Sequence, residues 1–306
     1  MTAPQRQSLT PNALGLVYGI AAYATWGLFP LFWPLLEPAN PLEILACRVV
    51  FSFAVVAVIL ALRRQLRQMR TMDRSTFLRL TASGIAIAAN WGVYIWGVNN
   101  GHVIETSLGY FINPLLTIGL GVVILRERLR SVQWAAVGLG LVAVTVLSFD
   151  YGRPPWIALI LACSFGTYGY IKKGIKVSPP EGLLVEGAVL TIPALVLLGA
   201  LALTGNATWV GHSANAGHIA LLVSAGPITA LPLLLFAGAA TRLPLSMMGL
   251  LQYLMPVMQF AIGVLILHET TSFALLCGFA LVWFALAILA VDGVRHRNQM
   301  PDAVLA

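Results

Sequence analysis

The chain repeats, ten times over, an apolar stretch close to the length of a bilayer span, and that recurrence constrains its fold more than any single residue. A hydrocarbon core about 30 Å thick takes roughly 20 residues of helix. Helices also pair every backbone polar group internally, which the membrane interior demands. Runs bounded by charges, proline or glycine predict spans near 12–36, 43–62, 76–98, 104–125 and 132–149, then near 155–172, 182–203, 217–239, 246–267 and 272–292. Of 306 residues, 59% are hydrophobic and 9% charged, against about 45–50% and 25% in soluble domains. The longest polar stretches, 63–75 and about 204–217, leave no room for a soluble catalytic domain.

The net charge of +7 is informative through its distribution. When the ten spans are threaded alternately, all of the 18 Lys and Arg except Arg48, inside a span, and Arg153 fall on one side. That side includes Arg6, the Arg63–Arg79 cluster, Arg126, Arg128, Arg130, Lys172, Lys173, Lys176, Arg242, Arg295 and Arg297. Cytoplasmic loops carry this excess, so both termini are expected in the cytoplasm of a cytoplasmic-membrane protein. The first apolar run, longer than a signal-peptide core and without a clear cleavage site, reads as a retained helix. The charge thus encodes orientation, and nucleic acid is not an expected partner.

Sliding the chain against itself gives an ungapped match at an offset of 142 residues. Pro114 meets Pro256, Gly121 meets Gly263, Glu127 meets Glu269, Asp150 meets Asp292 and Gly84 meets Gly226; at an offset of 139, Trp26-Gly27 meets Phe165-Gly166. Five spans per half is an odd number, so the halves must enter the membrane in opposite senses. The expected fold is an all-α integral membrane protein of about ten transmembrane helices in two inverted five-helix repeats. The parts are a tail at 1–11, repeats at 12–150 and 151–292, and a tail at 293–306. Inverted repeats suit alternating access to a midplane site.

The stretch 89–130, with its NW, IWGVNN, ETSLGYFINPL and RER elements, resembles the RarD group of EamA-domain proteins in the drug/metabolite transporter superfamily. AAYATWGLFPLFW near 21, EILACRVVFSF near 43 and AATRLPLSMMGLLQYLMP near 239 extend the likeness over nearly the whole chain. The resemblance implies a central cavity between the halves and export of a small substrate. Proteins of the group are called chloramphenicol-sensitive or chloramphenicol-resistance permeases, and related members move aromatic amino acids or other metabolites. It also implies that helices 1–4 and 6–9 line the cavity.

Hydrocarbon rejects polar groups and a watered cavity accepts them, so the candidates facing it are Trp26, Arg48, Asn90, Trp91, Tyr94, Tyr110, Asn113, Tyr168, Glu186 and Gln252. Arg48 reads either as an anchor for an anionic group or as a structural residue packing helix 2. Glu186, nearly its repeat equivalent, reads as a partner for a cationic group or a carrier of a coupling proton, or else as a neutral hydrogen-bonded side chain; the two lie in opposite leaflets. Glu105 is a second proton-coupling candidate, expected to be exposed on the outer side. Pro114 and Pro256 are hinge candidates, since an in-span proline frees a carbonyl; a static kink is the alternative. Gly15 and Gly19 are spaced for close helix packing.

Absences narrow the field further. No Walker-type loop and no H-E-x-x-H occur, the aspartates lie singly, and Cys47, Cys163 and Cys277 sit apart in apolar runs. No metal, cofactor or enzymatic activity is expected. The expected partners are the bilayer and a small, amphiphilic or aromatic molecule; the oligomeric state is not legible. The competing reading is a scaffold or sensor that retains a transporter fold, and a dry, fully packed centre would favour it.

Overall fold

The computed structural model describes residues 11–64, 72–125, 131–150, 152–173, 175, 177–210, 215–240, 242–243, 248 and 251–297. Arg6, Arg67, Arg70, Arg126, Glu127, Arg128, Arg130 and Lys176 lie outside the described residues. The regular elements among them are all helical. The first half contains α1 (Pro11–Gly27), α2 (Pro41–Leu62), α3 (Arg74–Asn99), α4 (Val103–Leu125) and α5 (Ser131–Asp150). The second contains α6 (Trp156–Lys173), α7 (Pro179–Leu203), α8 (Ala216–Ala240), α9 (Leu254–Leu265) and α10 (Phe273–Arg297).

Local chemistry sets the helix starts. Asn40 Oδ1 accepts the Leu42 and Glu43 amides at 3.0 Å each, and Pro41 begins α2 where its missing N–H leaves no carbonyl unserved. Asp73 accepts from Ser75 and Thr76 at the start of α3, and those bonds, Ser75 first, hold its carboxyl well below the usual range. Glu181 reaches back to the Ser178 amide at 3.2 Å before α7.

Two spans differ from expectation. The run 12–36 is not one helix: after α1 the chain bends by 42° into a short turn, Phe29–Phe32, and a 3₁₀ turn, Trp33–Leu36. Pro30 and Pro34 each remove a helical donor and crowd the carbonyl a turn earlier, which favours a bend at this point. The run 246–267 is interrupted: Met248 and Leu251 are helical, Gln252 and Tyr253 form a turn, and α9 begins at Leu254. Pro256 has no N–H to offer the Gln252 carbonyl.

By length and composition, α2, α7 and α8 can cross a membrane, and α1 with its bent continuation makes a fourth among the described residues. Leu62, Phe149, Leu203 and Phe273 point outward, exposed, as suits a hydrocarbon surrounding. The main helix partners are distant in sequence: α5 with α10, α2 with α7 and α8, α4 with α6 and α9, α3 with α6 and α7, and α1 with α8 and α9. Glycines stand at two of these crossings, the first of them too tight for any side chain. A Cβ on Gly226 of α8 would run into the Phe51 backbone of α2, and one on its repeat equivalent, Gly84 of α3, would lie 3.5 Å from Glu186 Cα of α7. Gly15 and Gly19 let α1 pack on Leu243, Leu251 and Ala239.

Candidate functional site

A cavity of about 460 Å³ lies between the halves. Trp26, Arg48, Asn90, Trp91, Tyr94, Tyr110, Asn113, Tyr168, Glu186 and Gln252 all line it. They arrive on six different helices and the turn before α9. The volume falls within the roughly 300–1,000 Å³ of small-molecule sites.

The helical repeat puts Asn90 and Tyr94 one turn apart on α3. Asn90 Nδ2 donates to the Leu161 carbonyl at 2.9 Å and to Ser164 Oγ at 3.1 Å, while Asn90 Oδ1 accepts the Tyr110 hydroxyl at 3.0 Å. One amide thereby ties α3, α4 and α6 together. Gln259 Nε2 donates to Tyr94 Oη at 2.9 Å and to the Trp26 carbonyl at 3.2 Å, bracing α9 against both. Aromatic edges continue the wall: Tyr94 to Tyr110 at 5.8 Å between ring centres, then Tyr110 to Phe165 and Phe165 to Tyr168 at 6.0 Å.

Arg48 is 3% exposed. Its Cζ lies 4.1 Å from the Trp91 ring centre, 5.0 Å from Trp33 and 5.5 Å from Phe29. Nε and Nη1 are buried without a hydrogen-bond partner. Glu186, 2% exposed, is bonded through one oxygen only: Oε1 accepts Lys172 Nζ at 2.7 Å and Ser83 Oγ at 2.5 Å, while Oε2 is buried without a hydrogen-bond partner. Arg48 and Glu186 form no ion pair with one another, and each is held by its own surroundings.

The cavity extends past Lys172 to Ile175, Val177 and Pro180, the connection between α6 and α7. The opposite ends of these helices are closed by three carboxylates. Glu43, fully buried, accepts the Thr208 amide and hydroxyl at 2.8 and 3.0 Å, and that hydroxyl lies 2.7 Å from His218 Nε2. Glu269 accepts the first amides of α4, Val103 at 2.6 Å and Ile104 at 2.9 Å. Glu105, expected exposed, is 2% exposed: Arg153 Nη2 donates to it at 2.8 Å and the Ile157 amide at 3.2 Å. Its position beside the α6 start seals it, and it does not line the cavity.

A model of the EamA-like transporter family matches residues 13–149. Protein RarD of Streptomyces exfoliatus is 52% identical over 288 residues, 93% of this chain and 90% of that one. The chain belongs to the RarD group of EamA-family transporters. Protein RarD of Escherichia coli (strain K12) is 38% identical over 287 residues, 93% and 96% of the two chains. YojE of Bacillus subtilis (strain 168), called an uncharacterized transporter, is 39% identical over 289 residues, 93% and 96%. A solved crystal structure superposes with a TM-score of 0.60 at 18% identity, covering 92% of this chain and 98% of that one, and shows the fold alone. EamA membership and the apolar helices make this a multi-pass membrane protein of the drug/metabolite transporter kind.

In this RarD-group chain, sequence reasoning missed Lys172, Gln259 and Ser83. Lys172 stands one turn after Tyr168, with Nζ 5.4 Å from that ring centre, and the i, i+4 spacing was the available signal. Gln259 follows Gln252 by two turns, a stripe of amides in an otherwise apolar run.

Proposed function

We propose that this RarD-group protein is a secondary transporter, an exporter of small metabolites or drugs across the cytoplasmic membrane, working by alternating access between two inverted five-helix repeats with both termini cytoplasmic. The observation that carries the reading is the cavity: about 460 Å³, lined from both halves and reaching only one end of its helices. A packed scaffold has no use for a hollow of this size among hydrocarbon-facing helices, or for a buried guanidinium in it whose Nε and Nη1 have no partner. With the α6–α7 connection on the Lys- and Arg-rich side, the hollow faces the cytoplasm. The inverted plan is supported by the helix partnerships, which stay the same when α1–α5 are exchanged for α6–α10. The equivalent glycines Gly84 and Gly226 at equivalent crossings support it too.

Glu186 is the proton-coupling residue in this reading. Protonating it cancels the charge that holds Lys172, so proton and substrate states communicate through one ion pair. The test is counterflow of labelled metabolites in proteoliposomes, with a proton-gradient arm. Glu186→Gln should keep counterflow and lose gradient-driven accumulation. A folded protein that exchanges nothing, and whose Asn90→Cys variant resists water-soluble thiol reagents, is a scaffold or sensor.

A further inference from the structure

The cavity's charges do not cancel. Its lining holds two cations, Arg48 and Lys172, and one carboxylate, Glu186. Glu186 is already bound to Lys172 at 2.7 Å, so the surplus rests on Arg48. Among the described residues no carboxylate lies within ion-pairing reach of that guanidinium. The rings of Trp91, Trp33 and Phe29 offset part of its desolvation through their π faces. They accept none of its N–H bonds, and Nε and Nη1 stay unsatisfied in a buried setting. A delocalised fork of donors with one uncompensated charge matches a carboxylate, which takes two parallel N–H bonds. Trp26, Tyr110 and Phe165 add ring surface to a wall that is otherwise largely aliphatic, suited to a flat apolar body.

We propose, resting on the transporter reading above, that the site takes aromatic monocarboxylates: the carboxylate on Arg48 and the ring against the aromatic wall. One negative charge balances the lining. A dianion would carry one too many, and a zwitterion, with no net charge, would leave the surplus positive charge of the lining in place.

The test is equilibrium binding to the purified full chain in nanodiscs at neutral pH. The probes are 3-phenylpropionate, its uncharged isostere 3-phenylpropanamide, phenylalanine, phenethylamine and ringless butyrate. 3-Phenylpropionate should bind about tenfold or more tighter than the amide and every other probe, the scale of one charge-assisted contact. Arg48→Gln should erase the acid-over-amide preference. The wild-type series needs no variant: amide binding equal to the acid, phenylalanine or butyrate binding as tightly, or no acid binding overturns the proposal. A preference that persists in Arg48→Gln overturns the Arg48 assignment. Acid binding without counterflow refutes transport and leaves the ligand class standing. Counterflow of other compounds without an acid preference does the reverse.

Discussion

Removing the Glu269 carboxylate should loosen the start of α4. Val103 and Ile104 are first-turn amides with no intrahelical carbonyl to bond, and Glu269 supplies both acceptors at 2.6 and 2.9 Å. A hydrogen bond to a charged group contributes about 1.5–3 kcal/mol net, and the helix dipole adds to a carboxylate placed there. Glu269 is only part-buried, so water competes, and about 2 kcal/mol for the whole contact is a fair scale. That corresponds to roughly 30-fold in a local opening equilibrium. Hydrogen exchange read by mass spectrometry on the peptide across residues 101–108 measures it. Glu269→Ala should speed exchange at Val103 and Ile104 by about that factor, with Glu269→Gln between. Thr106, whose amide bonds the His102 carbonyl at 2.9 Å, should change less. Equal exchange in all three proteins would refute the cap.

Gly226→Ala should lower the thermal midpoint in detergent, since the added methyl meets the Phe51 backbone and overpacking costs about 1–3 kcal/mol. Gly138→Ala, with nothing within 4 Å of the new Cβ, should leave it level or raise it slightly, and equal effects at both sites would contradict the tight crossing. Lys172→Met strands the buried Glu186 carboxylate, at a cost of about 1–3 kcal/mol given that Lys172 is 25% exposed. The double variant with Glu186→Gln should recover most of that loss in a thermal double-mutant cycle; strict additivity would mean the pair contributes nothing. Reporter fusions at Met72 and Lys173 should both read cytoplasm, and an outer signal at either overturns the proposed orientation.

How far the site could be read in advance depends on the physics involved. Arg48, Asn90, Tyr110 and Glu186 announced themselves because a polar group in an apolar run must face something other than lipid. Lys172 did not: it stands beside Lys173 and Lys176, and a charge cluster at a helix end reads as loop. Its reach to Glu186 depends on how α6 sits against α7, which no local pattern encodes. Glu105 failed in the same way, since its burial is made by Arg153, in the connection before α6, and Ile157 at the α6 start. The break after α1 was legible, because Pro30 and Pro34 stand in the run, but average hydropathy carried the span across them.

The repeat-equivalent prolines carry the last step. Two inverted halves of identical internal geometry would build a two-fold symmetric hollow, open to both ends or to neither. A hollow that reaches one end therefore requires the halves to differ somewhere. They differ at the expected hinges. Pro114 lies inside the continuous helix Val103–Leu125, whereas before Pro256 a turn at Gln252 and Tyr253 interrupts the helix, although the Gln252 amide still donates to the Met248 carbonyl at 3.1 Å. Both segments border the cavity, through Tyr110 and Asn113 on one side and Gln252 and Met255 on the other. A proline has already given up its carbonyl partner, so changing the backbone there breaks no hydrogen bond, while the same change a turn away would. In the alternating-access reading, the opposite-facing state exchanges these two conformations, with the continuous helix in the second half and the interruption at Pro114.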